Sequence, residues 1–332
     1  MILHLKSDLS ETEARALAAE HQAFYLFDQT HVLITGSSVK SVPENLVNHT
    51  VSSWEFPNDM QLSSRKYQAT TRTLSFGNTR IGGTTRNTVL IAGPCSVESE
   101  EQIESAAQLL QKLGLNTLRG GAYKPRTSPY SFQGMGLEGL QLLAKMREKY
   151  GLTVITEARD ATHIQEIIEH TDIIQIGAKA MYDQGILRAC AKIQQPVLIK
   201  RGFGTTLQEL VQAAEFVLSG GNPNVMVCER GIRTFETGTR FTLDLCGVAW
   251  LKEHTNLPVI LDPSHAMGYA YGVASLAKAC VAMGIDGLLI ETHPNPKVAK
   301  SDASQQLTYE AFEQLYHELK PVAAAVGYQI VG

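Results

Sequence analysis

Leu118 to Gly134 reads LRGGAYKPRTSPYSFQG and gathers more chemistry than any other stretch of this chain. Arg119, Lys124 and Arg126 lie within eight positions, with Thr127, Ser128 and Ser131 close behind. Gly120 and Gly121 let the backbone bend where a side chain would clash, and Pro125 and Pro129 stiffen the loop beyond the bend. A stiff cationic loop with hydroxyl donors suits a phosphate or carboxylate ligand. A solvated basic loop would have the same composition, so the choice depends on what the remaining elements bring beside it.

From Val89 onward the chain alternates apolar strand runs with helical patterns. The runs begin at Val89, Thr117, Thr153, Asp172, Pro196, Val225, Pro258 and Gly287. Helical patterns include Glu101–Leu113, Leu137–Tyr150, Leu207–Leu218, Val273–Met283 and a last one near Tyr309–Ala325. Eight strand–helix repeats in about 240 residues predict an α/β fold, a (β/α)8 TIM barrel. A doubly wound sheet fits less well, because no GxGxxG opens any helix.

The first sixty residues have a different rhythm: strand at Ile2–Lys6, helix from Ser10 to about Gln22, strands at Ala23–Phe27 and His31–Thr35, a short helix near Pro43–Asn48, and a strand at Thr50–Phe56. That order predicts a small ferredoxin-like α+β domain over 1–60. Residues 61–87 are expected to be a linker with a hairpin at Leu74–Ile81, able to plug the base of a barrel formed by 88–332.

In such a barrel the chemistry sits where strands end. Every strand exit carries an ionisable or metal-binding residue: Cys95, Arg119 with Lys124, Glu157, Lys179, Lys200 with Arg201, Glu229 with Arg230, Asp262 with His265, and Glu291 with His293. So many charges held near a core are costly unless they are used. Two sets stand out. Cys95, His265 and Glu291 follow the first, seventh and eighth strands, which become neighbours on closure, and Asp302 lies in the loop after the eighth. Singly each reads as packing, a satisfied histidine or a loop cap; jointly they suit a divalent metal ion such as Mn, Fe, Co or Zn. The second set, Arg119, Lys124, Arg126, Lys179, Lys200 and Arg230, would attract an anion bearing more than one phosphate or carboxylate. Arg201 should point away from Lys200 by strand alternation. Glu157, among these cations, is either a group for proton transfer or an ion-pair partner.

The net charge of −4 gives no sign of nucleic-acid binding. No apolar run is long enough for a membrane span, and the N-terminus lacks a signal-type stretch. Five widely spaced cysteines without a CxxC fit a reducing, cytoplasmic setting.

Together and in order, IAGPCSVES, LRGGAYKPRTSPYSFQG, IIQIGA, PVLIKRGF, CERGIRTFE, ILDPSHAMG and IETHPNP…SDASQQL resemble the 3-deoxy-D-arabino-heptulosonate 7-phosphate (DAHP) synthases of the shorter bacterial and archaeal subtype. That family opens the shikimate pathway. The resemblance implies a metal held by Cys95, His265, Glu291 and Asp302. It implies phosphoenolpyruvate held by Arg119, Lys124, Lys200 and Arg230, and erythrose 4-phosphate received by Arg126, Thr127 and Ser128. Glu157 would lie near the phosphoenolpyruvate double bond. Lys124 would protonate the new alkoxide, and Glu157 with Lys200 would orient water. Lys179 stands where relatives commonly have Arg, which keeps the charge but loses the two-pronged geometry. The loop reads SDAS where many relatives have SDG, with the Asp retained. The first sixty residues resemble a regulatory extension, implying inhibition by tyrosine or phenylalanine, and a homotetramer is expected from the resemblance alone. The rival readings are 3-deoxy-D-manno-octulosonate 8-phosphate synthase acting on arabinose 5-phosphate, a class II aldolase, and an inactive ligand-binding barrel.

Overall fold

The computed structural model describes residues 1–125 and 128–332; Arg126 and Thr127 lie outside the described residues. Eight parallel strands close on themselves: β7 (Asn87–Gly93), β8 (Thr117–Arg119), β9 (Thr153–Ala158), β10 (Ile173–Ile176), β11 (Val197–Lys200), β12 (Val225–Glu229), β13 (Val259–Leu261) and β14 (Gly287–Glu291). Their runs are rich in Val, Ile and Leu because a parallel barrel strand is buried on both faces. Closure pairs β14 with β7 over five registered positions, Gly287↔Val89 through Glu291↔Gly93. A short strand β15 (Gln329–Val331) adds to the start of β7, a pairing no sequence pattern had suggested.

The helices that pack outside the strands begin at sequence-encoded caps. In α3 (Glu100–Leu113) the Ser99 side chain accepts from the Gln102 amide, and Gly114 ends the helix in the left-handed region. In α7 (Leu207–Ser219) Thr206 and Glu209 form a capping box. Between these and after them come α4 (Leu137–Tyr150), α5 (Ile164–His170), α6 (Gln184–Ala191), α8 (Leu245–His254), α9 (Pro263–Met267), α10 (Ala270–Ala282) and α11 (Tyr309–Ala325).

Ahead of the barrel, β1 (Ile2–Leu5), α1 (Glu11–Glu20), β2 (Phe24–Asp28), β3 (Thr30–Ile34), α2 (Glu44–Val47) and β4 (Thr50–Trp54) build an antiparallel sheet of order β2-β3-β1-β4. Its Ser10–Glu13 capping box is where the sequence placed it. This sheet is docked on the barrel: Ile2, Val32, Ile34, Phe56 and Leu62 share the main apolar cluster. The Glu215 carboxylate of α7 accepts from the amides of Gln61 (2.7 Å), Leu62 (3.2 Å) and Ser63 (2.8 Å), clipping the connecting segment to the barrel.

The hairpin β5 (Thr73–Phe76) and β6 (Thr79–Gly82) closes the base. Leu74, Phe76 and Ile81 are buried in one cluster with inward residues of seven barrel strands, among them Val89, Ile155, Leu198, Met226, Ile260 and Leu289. Cys228 belongs to the same cluster, where burial pushes its thiol pKa up; it packs rather than reacts. The base of the barrel is therefore apolar and sealed, which leaves polar groups the opposite end. Among the described residues no helix is long and apolar enough to cross a membrane.

Candidate active site at the barrel mouth

The C-terminal ends of the strands surround a cleft of about 380 Å3 lined by Lys124, Glu157, Lys179, Lys200, Arg230 and His265, with Asp302 at its edge. Three of the four donors read as a metal set converge, and the fourth, His265, faces two of those three. Ligand atoms of Cys95, Glu291 and Asp302 all lie within 4.8 Å of one another. His265 Nε2 faces Glu291 Oε1 at 3.4 Å and Asp302 Oδ2 at 3.6 Å, and Cys95 Sγ lies 3.6 Å from Asp302 Oδ2.

Local sequence explains each placement. Asp262 caps α9, accepting the His265 amide at 2.9 Å, so the DPSH run turns straight from strand to helix and presents the imidazole. Asp262 Oδ2 lies 2.7 Å from His265 Nδ1, so the same carboxylate that caps the helix also faces the imidazole. The Ser264 hydroxyl accepts the Glu291 amide at 3.1 Å, tying the seventh and eighth strand exits together. Gln306 accepts the Cys95 amide at 3.0 Å and donates to Ser301 O at 2.9 Å, which holds the Asp302 loop against the first exit. Asp302 itself adopts φ 45°, a left-handed conformation that Asp tolerates better than most residues.

Electrostatics at the mouth are tightly coupled. Burial, then the Glu291 carboxylate, push the Cys95 thiol up to about 11 against the pull of Lys124. Burial alone would raise Glu291, but the facing His265 and Arg119 outweigh it and hold it low. For Lys124, burial is outweighed by Cys95 and Glu157, and the ammonium is favoured. The donor set fits a borderline divalent cation: a thiol and two carboxylates cluster, an imidazole faces both carboxylates, and binding of such an ion would displace the thiol proton.

The cations are bound by the fold yet retain unmatched charge. Lys124 Nζ donates to Cys95 O at 2.9 Å and lies 3.2 Å from Cys95 Sγ. Arg119 Nη1 donates to Pro94 O (2.8 Å) and Glu291 Oε1 (2.7 Å). Lys200 Nζ donates to Asp262 Oδ2 at 2.6 Å. Arg119 Nε and Arg230 Nη1 are buried with no hydrogen-bond partner among the described residues. Buried donors without acceptors are costly unless a ligand supplies them. Lys179 is exposed and donates to Pro125 O at 2.8 Å, so it also steadies the loop that carries Lys124.

Glu157 sits against Gly177, where a Cβ would come within 1.9 Å of Glu157 Oε1; only glycine leaves the carboxylate its place. Arg201 points away from the cleft and pairs with Glu229 (3.0 Å) and Asp244 (2.8 Å), as strand alternation requires. Ser128 lies half-buried on the loop after Lys124, while Arg126 and Thr127 lie outside the described residues.

Arg233, Arg240, Phe203 and Phe241 also line the cleft and were not singled out from sequence. Arg230 stacks over Phe241 at 4.4 Å and Arg233 over Phe203 at 4.8 Å. The signal available was the spacing of Arg230, Arg233 and Arg240, which an Ile232↔Thr242 bridge folds back over the mouth.

A family model described as the DAHP synthetase I family matches residues 63–326. A phospho-2-dehydro-3-deoxyheptonate aldolase of Thermotoga maritima is 42% identical over 270 residues, covering 81% of this chain and 79% of that protein. A 2-dehydro-3-deoxyphosphooctonate aldolase of Francisella tularensis is 31% identical over 249 residues, covering 70% of this chain and 90% of its own. The crystal structure of the Thermotoga maritima DAHP synthase superposes with a TM-score of 0.81 at 37% identity, covering 99% of this chain and 98% of that one. A truncated form of the Thermotoga synthase gives 0.76 at 39% identity, covering 81% and 98%.

Proposed function

The chain belongs to the DAHP synthetase I family as a 3-deoxy-7-phosphoheptulonate synthase, and we propose that it condenses phosphoenolpyruvate with erythrose 4-phosphate and water to give DAHP and inorganic phosphate. The observation that carries this reading is the cluster of Cys95, Glu291 and Asp302, with His265 facing both carboxylates, at a cleft lined by Arg230, whose buried Nη1 has no partner among the described residues. Those four residues would hold a divalent cation of the Mn, Fe, Co or Zn kind, which when bound supplies Lewis-acid polarisation of the acceptor aldehyde.

Arg119, Lys124, Lys200 and Arg230 bind the carboxylate and phosphate of phosphoenolpyruvate, each a charge-assisted contact in a site withdrawn from water. Lys179 contributes charge at the entrance. Ser128, with Arg126 and Thr127, receives the sugar phosphate; Arg233 and Arg240 supply further cationic donors in the same cleft. C3 of phosphoenolpyruvate bonds to the aldehyde carbon, and Lys124 gives a proton to the resulting alkoxide. Glu157 and Lys200 orient a water whose oxygen bonds to C2 on loss of a proton. The C2–O bond to phosphate then breaks, phosphate leaves with that oxygen, and the C2 hydroxyl loses its proton to become the ketone.

The test is phosphate release with both substrates, after chelation and after Mn2+ is restored. Release that requires both substrates and the ion supports the reading; release that survives stringent chelation removes the metal. Because octulosonate-type aldolases also match this chain, arabinose 5-phosphate is the comparison acceptor, and its preferred turnover would reassign the substrate.

We read residues 1–60 as a ferredoxin-like regulatory domain, 61–87 as linker and hairpin, and 88–332 as the catalytic barrel. The βαββαβ order and the strand order β2-β3-β1-β4 support the first of these. Tyrosine or phenylalanine is the proposed inhibitor and a homotetramer the proposed assembly. Inhibition unchanged after removal of residues 1–60, or a monomer in sedimentation, would overturn them.

A further inference from the structure

Gln305 is fully buried, carries no charge and lies between two groups of opposite sign. Its Nε2 donates to Glu291 Oε2 at 2.6 Å and reaches Asp302 Oδ2 at 3.4 Å. Its Oε1 accepts from Arg240 Nη1 at 2.8 Å. The amide can sit only one way round. Turned over, its oxygen would face two carboxylates and its NH2 a guanidinium, with repulsion at both ends.

The consequence falls on the two carboxylates. Glu291 Oε1 is fixed by Arg119 at 2.7 Å, so the Gln305 bond to Oε2 locks the carboxylate from its other side. Asp302 stands on a left-handed backbone and repels Glu291; an amide donor shared between them offsets that repulsion and sets their separation before any cation arrives. Groups that orient metal ligands in this way typically change metal affinity about 10- to 100-fold.

We propose that Gln305 is a positioning residue of the metal centre, holding Glu291 and Asp302 at cation-binding separation and anchored in turn by Arg240. This rests on the metal centre proposed above. The test is Gln305→Met, which keeps length and volume but removes all three hydrogen bonds. Cation affinity is read by competition with a chromogenic chelator, independently of turnover. The expected result is a dissociation constant for Mn2+ raised about tenfold or more. The Cys95 thiolate-to-metal absorption of the Co2+ form should shift, and the melting temperature of the chelated protein should stay at the wild-type value. An unchanged affinity and an unchanged Co2+ spectrum would overturn the role while leaving the metal centre intact. A wild-type protein that binds no cation would overturn both together, and that outcome is recognisable without the variant. If chelated Gln305→Met melts early, Gln305→Asn, too short to span both carboxylates, should show the same affinity loss; wild-type affinity there would overturn the role.

Discussion

Two buried arginine–glutamate pairs sit within this barrel at nearly the same distance, Arg119–Glu291 at 2.7 Å and Arg201–Glu229 at 3.0 Å, and they do opposite things. Arg201 is closed off. It also donates to Asp244 and Thr205 O, while Glu229 accepts the amides of Gly231 and Asp244. Arg119 is left open, with Nε buried and lacking a hydrogen-bond partner among the described residues, and its glutamate is shared with His265 and Gln305. Burial and ion pairing alone therefore do not mark a working site. The difference is whether the network's hydrogen-bonding capacity is filled by the protein itself or left for something else.

Substitution should separate the two pairs most sharply. Arg119→Met is expected to lower kcat/KM by about a thousandfold or more, the scale of losing a charged donor inside a dry site. Arg201→Met should instead destabilise the fold by about 3–5 kcal/mol, since Glu229 and Asp244 lose their cation, with near-normal turnover per folded molecule. Steady-state kinetics and urea unfolding on the two variants check this; a catalytic loss at Arg201 without loss of stability would dissolve the contrast. The sealed base should behave like Arg201. Leu74→Ala is expected to cost about 2–5 kcal/mol in unfolding while KM stays put. Gly177→Ala should behave like the open pair, because its Cβ would push Glu157 aside; a fall in kcat of about a hundredfold, matched by Glu157→Gln, is expected in turnover assays. Smallest is the surface pair Lys112–Glu313, where Lys112→Ala should shift stability by less than about 1 kcal/mol in the same urea series.

The barrel was legible because parallel strands buried on both faces leave continuous apolar runs, and each run from Val89 to Gly287 lies on or beside a strand. Strand alternation separated Arg201 from Lys200, and closure of β14 on β7 accounts for Cys95 meeting Glu291. Features set by three-dimensional folding of loops were not legible. Arg233 and Arg240 reach the cleft only because their loop folds back, and Gln305 has no charge or spacing to draw attention. The short strand β15 offers three residues and no periodicity, too little for a pattern to register.

The pairing of β14 with β7 has a kinetic consequence. Residues near Val89 leave the ribosome about 200 residues before their partners near Glu291, an interval of about 10–40 s at usual synthesis rates. Throughout it β7 presents an unpaired apolar edge, the kind of surface that recruits other chains or a chaperone. Cys95 follows that first strand, and Glu291 lies on the last strand to close the ring. The nascent chain cannot assemble its proposed metal centre before the ring shuts, so metal uptake would report completed folding.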